Sequence, residues 1–136
     1  MGWGKNDDPR KLRELLGKAA MLASDHSLSS VVVGIAAAEG DLVFPEVVDF
    51  VESALRVDDA VFRMTRDRAV IFLADVSRSS AEAIVDRLLA DFRAHSCVSQ
   101  LPALSLGFYE VSVGTRELSV KEVLPELFCE PDATTH

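Results

Sequence analysis

The sequence predicts an α+β domain, one sheet covered by helices, with an extra helix in front. Three observations carry this reading. The stretch "SVVVGIAA", from Ser30, is the β-branched run of a strand buried on both faces. Residues 44–56 and 79–95 repeat apolar side chains at helical spacing. Between those helices, "ALRVDDAVFRMTRDRAVIFLAD" holds two short apolar runs around a charged centre, too close together for anything but a hairpin.

The elements follow in order. Asp8 and Pro9 start the first helix, as N-cap and first helical residue. Leu12, Leu15, Leu16, Ala19 and Leu22 then share one face until about Asp25. After the strand at Ser30, the second helix carries Phe44, Val47, Val48, Val51, Ala54 and Leu55 and runs to about Arg56. Pro45 fits its first turn, where a missing N–H costs nothing. The hairpin supplies two strands. "SSAEAIVDRLLADFRAH" is the next helix, with Ser79 and Glu82 at capping-box spacing. "LPALSLGFYEVSV" is a strand, and "SVKEVLPELF" a short helix opened by Ser119 and Glu122. The order is helix, β-α-β-β-α-β, helix, which suggests a ferredoxin-like sheet with helices on one face. That arrangement hosts many unrelated functions. The expected division is a flexible leader and amphipathic helix over 1–28, a core domain over 29–128 and a disordered tail over 129–136.

Composition narrows the function. The chain has 136 residues and 49% hydrophobic content, enough for one domain that folds without a disulfide or metal. Its net charge of −8 disfavours nucleic acid and anionic membrane surfaces, whose recognition needs a basic face. No apolar run reaches ~18 residues and the N-terminus lacks a signal-peptide pattern, so neither a membrane span nor secretion is expected. Cys97 and Cys129 lie far apart and read as one core and one tail thiol of a reduced cytoplasmic protein. His26, His95 and His136 stand at no ligand spacing, G-x-S-x-G is absent, and no phosphate-loop or dinucleotide fingerprint occurs. No cofactor or metal is expected.

The charged centre gains meaning from its flanks. Gly40-Asp41 precede the second helix, and Arg56-x-x-Asp59 close it. Arg63 ends a strand, and "TRDRA" (Thr65, Arg66, Asp67, Arg68, Ala69) forms the hairpin tip. "VDR" ends at Arg87 in the next helix, and "LSLGFYEV" follows from Leu104. In this order, without gaps from Gly40 to Arg87, these elements resemble the GGDEF domain of bacterial diguanylate cyclases, over roughly residues 30–127. The tip then falls on the signature itself.

The departures from that family carry the functional expectation. Two signature glycines, which let the hairpin backbone lie against GTP, are here Thr65 and Arg66. The signature Glu, part of the metal site, is Arg68, and a guanidinium is never a metal ligand. The metal-binding Asp-x-Asp after the first strand is absent from "VVVGIAAAEG", and a nucleotide-holding segment is missing as a block. Only Asp67 matches the signature. Phosphoryl transfer without its metal clamps loses its main stabilising term, so no cyclase activity is expected. The resemblance implies a second site, the product-binding Arg-x-x-Asp, filled here by Arg56, Asp59 and Arg87. Its chemistry suits cyclic di-GMP: arginine forks bind phosphate or stack on guanine, and a carboxylate accepts from the guanine edge. The same Arg56 and Asp59 also serve as a plain ion pair at a helix end. Arg63, Arg66 and Arg68 are expected to form a solvated tip, with Asp67 as its turn residue. The competing expectation is a nucleotide-independent interaction module, supported by the N-terminal helix, whose apolar face is expected either to close over the sheet or to mediate a dimer or a protein contact. Trp3 is a second candidate partner anchor.

Overall fold

The structure, a computed structural model, describes residues 7–95, 103–115 and 117–128. Trp3, Cys97, Cys129, His136 and the expected tail lie outside the described residues. Eight elements follow in order: α1 (Pro9–Asp25), β1 (Ser30–Ala36), α2 (Phe44–Ala54), β2 (Ala60–Thr65), β3 (Arg68–Ala74), α3 (Arg78–His95), β4 (Ser105–Val111) and α4 (Val120–Leu127). The four strands form one sheet in the order β2-β3-β1-β4, and every pair is antiparallel. This is the expected α+β order.

Local chemistry sets the element ends. The Asp8 carboxylate accepts from the Arg10 N–H, with Pro9 in the first turn. Gly40, at φ +83°, turns the chain so that Asp41 Oδ1 accepts from the N–H groups of Val43 and Phe44, at 2.8 and 2.9 Å. Helix α2 stops at Ala54, two residues before the expected Arg56. The reason is Asp59, whose carboxylate takes the Arg56 N–H at 3.2 Å and pulls it out of the helix. Helix α3 also corrects an expectation. It starts at Arg78, and Ser77 is the cap: its hydroxyl accepts from the Ser80 N–H at 3.2 Å, which leaves Ser79 inside the helix. Ser119 caps α4 as expected: its hydroxyl accepts from the Glu122 N–H and donates to Glu122 Oε1, both at 3.3 Å.

Helices cover both faces of the sheet, not one. Strand β1 divides its side chains: Val31, Val33 and Ile35 join Ile71 and Leu73 under α2 and α3. Val32 joins Phe62, Val70 and Phe72 on the opposite face, under α1 and α4. The β-α-β-β-α-β unit supplies only the first layer; the helices before and after it supply the second. Leu12, Leu16, Ala19 and Ala23 of α1 are buried in that second layer. Of the two expected uses of this stripe, closing over the sheet or mediating a dimer, the structure shows the first.

Two contacts complete the frame. The Asp7 N–H donates to the Arg63 carbonyl at 2.9 Å, and Asp7 Oδ2 accepts from the Arg63 N–H at 2.7 Å, so the residue just ahead of the α1 cap ties to β2. Gly34 and Gly107 face one another across β1 and β4. A Cβ on Gly34 would stand 2.6 Å from the Leu127 Cβ, and one on Gly107 would collide with the Leu127 backbone. The end of α4 fills the space these two residues leave open.

Candidate functional site: a cleft between the second and third helices

The loop after α2 is built around one carboxylate. The Asp59 side chain is 2% exposed. Its Oδ1 accepts from Arg56 Nη2 at 2.9 Å and from the Ala74 N–H at 3.0 Å. Its Oδ2 accepts from Arg56 Nε at 2.9 Å and from the Arg56 N–H at 3.2 Å. A second bond from Arg56 Nη2 reaches the Ala74 carbonyl at 2.6 Å. Together these bonds lash the loop to the end of β3, where Asp75 turns the chain at φ +57°. Burial alone would raise the Asp59 pKa, but the bonds from Arg56 and Ala74 outweigh it and hold the carboxyl below its ordinary value. Arg56 moves the opposite way, raised above its ordinary value chiefly by its bonds to Asp59.

The Arg56 side chain is 55% exposed and borders an open cleft of about 450 Å³. The opposite wall is α3, which contributes Ile84, Arg87, Leu88 and Asp91. Ala54 and Leu55 line the near side. The structure thus brings the three expected residues, Arg56, Asp59 and Arg87, to one cleft with two guanidinium groups and an apolar floor. Asp59 does not fit the role of accepting from a ligand. A carboxylate offers about four lone-pair sites, and Arg56 with Ala74 fills them. It positions Arg56 instead. Asp91 escaped the sequence reading, although it follows Arg87 by one helical turn.

The hairpin tip is a second place to consider. Thr65 Oγ1 donates to Asp67 Oδ1 at 2.7 Å and accepts from the Asp67 N–H at 3.3 Å. The Asp67 carbonyl receives the Ala37 N–H at 2.9 Å, which fastens the tip to the end of β1. Asp67 is thus the expected turn residue. The expectation of three solvated arginines is corrected. Arg63 is 15% exposed and reaches Asp49 and Glu52 of α2, each at 2.8 Å. Glu52 is accordingly held below its ordinary pKa, first by its bond to Arg63. The Arg68 guanidinium lies 5.2 Å from the centre of the Phe128 ring. Arg66 alone of the three is exposed.

The cavity beside the tip measures about 540 Å³, and Ala36, Ala37, Ala38, Glu39, Asp67 and Arg68 are among its walls. A magnesium ion needs carboxylate oxygens placed around it. Here three alanines follow the β1 core, the cavity's carboxylates are Glu39 and Asp67, Asp67 is engaged with Thr65, and a cation stands at residue 68. Among the described residues no group of three His, Cys, Asp or Glu side chains could hold a metal ion. The residues present do not fit the metal of the resembled family.

Comparison with solved structures shows the same sheet and helices in a set of GGDEF domains. The GGDEF domain of YfiN (TpbB) from Pseudomonas aeruginosa superposes with a TM-score of 0.64 at 21% identity, over 79% of this chain and 77% of that one. The chain has the fold of a GGDEF domain. A microbial GGDEF domain studied for its interaction with cyclic di-GMP gives a TM-score of 0.69 at 15% identity, over 91% of this chain and 84% of that one. The GGDEF domain of DgcB from Caulobacter crescentus, solved in complex with cyclic di-GMP, gives 0.63 at 10% identity, over 84% and 78%. No family model and no curated protein matches the chain. Among the described residues, no helix of this GGDEF fold is long and apolar enough to cross a membrane.

Proposed function

We propose that the protein is a degenerate, catalytically silent GGDEF-like signalling domain of the cytoplasm that binds cyclic di-GMP at its Arg-x-x-Asp site. In this reading residues 29–128 are the GGDEF-like unit, and α1 is a helix added to it. One observation carries the proposal: Arg56 and Arg87 border the same open cleft, and Asp59 holds Arg56 in place from behind. Arg87 offers a fork for bidentate bonds to phosphate, and Arg56, with Nε and Nη2 held by Asp59 and Ala74, keeps its Nη1 donors and a flat face for a base. The apolar surface of Leu55, Ile84 and Leu88 gives the base a place to rest. Relatives in fold bind this dinucleotide. The silence follows from the tip, where the donor set for a metal is lacking and Thr65 and Arg66 replace residues without a Cβ.

Calorimetry with cyclic di-GMP and GTP side by side tests this. We expect heat with the dinucleotide, no turnover of GTP, and loss of binding in Arg56→Ala and in Arg87→Ala. Arg87 is exposed on α3, so its variant keeps the fold. No heat at tens of micromolar protein, or undiminished binding by both variants, would refute the proposal.

A further inference from the structure

We infer that Asp91, rather than Asp59, is the group that distinguishes guanine from other bases in this cleft. The inference rests on the dinucleotide reading above. The Watson–Crick edge of guanine presents two adjacent N–H donors, so a reader must offer two acceptor oxygens side by side. Asp59 cannot: both oxygens already accept two bonds, and the side chain is 2% exposed. Freeing it would strip Arg56 of its support and leave the Ala74 N–H without an acceptor.

Asp91 has what Asp59 lacks. It lies on the α3 wall of the cleft, one turn beyond Arg87, and it is exposed. Among the described residues no hydrogen bond or ion pair engages its carboxylate; the bond from His95 Nδ1, at 2.8 Å, goes to its backbone carbonyl. Its charge adds to the argument. A cleft that bound phosphate alone would gain nothing from an anion on its wall, because that anion repels the ligand. The arrangement suits a ligand with anionic and N–H-donating parts together. Phosphates face Arg56 and Arg87, and the donor edge of the base faces Asp91. Adenine carries an acceptor where guanine carries its ring N–H, so the same carboxylate disfavours it.

The test is calorimetry on the full chain with cyclic di-GMP and cyclic di-AMP, using wild type and Asp91→Asn. The wild type should bind the guanine dinucleotide at least tenfold more tightly than the adenine one. Asp91→Asn should weaken cyclic di-GMP binding by about 10- to 100-fold, the usual worth of a charged hydrogen-bond acceptor. It should leave any cyclic di-AMP binding unchanged or stronger. Because Asp91 is exposed, equal melting temperatures will confirm an intact fold. A wild type that binds cyclic di-GMP while Asp91→Asn binds it equally well overturns the role of Asp91 and spares the receptor reading. A wild type that binds neither dinucleotide overturns both.

Discussion

Asp59 concentrates more bonds than any neighbouring side chain, and its effect on stability has a definite sign. Its carboxyl is held below the ordinary value in the folded chain. A depressed acid stabilises the fold above its unfolded pKa, about 3.9, and that contribution is lost as pH falls through the folded value. Asp59→Asn should therefore cost about 2–3 kcal/mol near neutrality, the worth of charge-assisted bonds to Arg56 and Ala74. Urea unfolding at neutral pH and again well below pH 4 measures this, and the gap to wild type should narrow at the lower pH. A constant gap would mean that the negative charge of Asp59 contributes nothing. The Arg-x-x-Asp spacing was visible in the sequence, but the saturation of its carboxylate was not. The fourth bond comes from the Ala74 backbone, 15 positions further along the chain. Arg63 misled for a related reason. Its partners, Asp49 and Glu52, are three residues apart on α2, and only the packing of α2 beside β2 brings them to it.

Elements were more legible than residues. Asp8 with Pro9, and Ser119 with Glu122, are cap patterns with few competitors nearby, and both hold. The start of α3 lies in "SRSS", where three serines compete and any of them is chemically able to cap. The fold chooses Ser77 because β3 ends at Ala74 and the chain then needs only Asp75 and Val76 to turn. Ser77→Ala should cost about 1 kcal/mol, the worth of a lost N-cap, while Ser79→Ala should cost less than about 0.5. Thermal melts of the two variants decide the matter, and the reverse ranking would place the cap back at Ser79. The one-face expectation failed at this scale too. The buried-on-both-faces pattern of β1 already called for two layers, but the second comes from α1 and α4, which stand outside the β-α-β-β-α-β unit.

At the scale of the molecule, α1 is structural cover. Removing residues 1–25 would lay bare Val32, Phe62, Val70 and Phe72, which it helps to bury. An exposed apolar surface of that kind seeks another partner. Sedimentation of the truncated chain should show self-association or aggregation, with a lower melting temperature. Unchanged sedimentation and melting would show that α1 is dispensable and would return it to the role of a free interaction helix. The overall topology was legible because length, hairpin and helix periodicity agree; the sharing of one sheet by two helical layers depends on contacts between the two ends of the chain.

The facing pair Gly34 and Gly107 has a consequence in time as well as in space. The groove that seats Leu127 lies between β1 and β4, and neither strand alone contains it. Those strands are separated by half of the chain, so their pairing closes a long loop and is among the slower steps of folding. Helix α4 has nowhere to dock until that step is complete. Its arrival marks the moment at which β1 and β4 have joined.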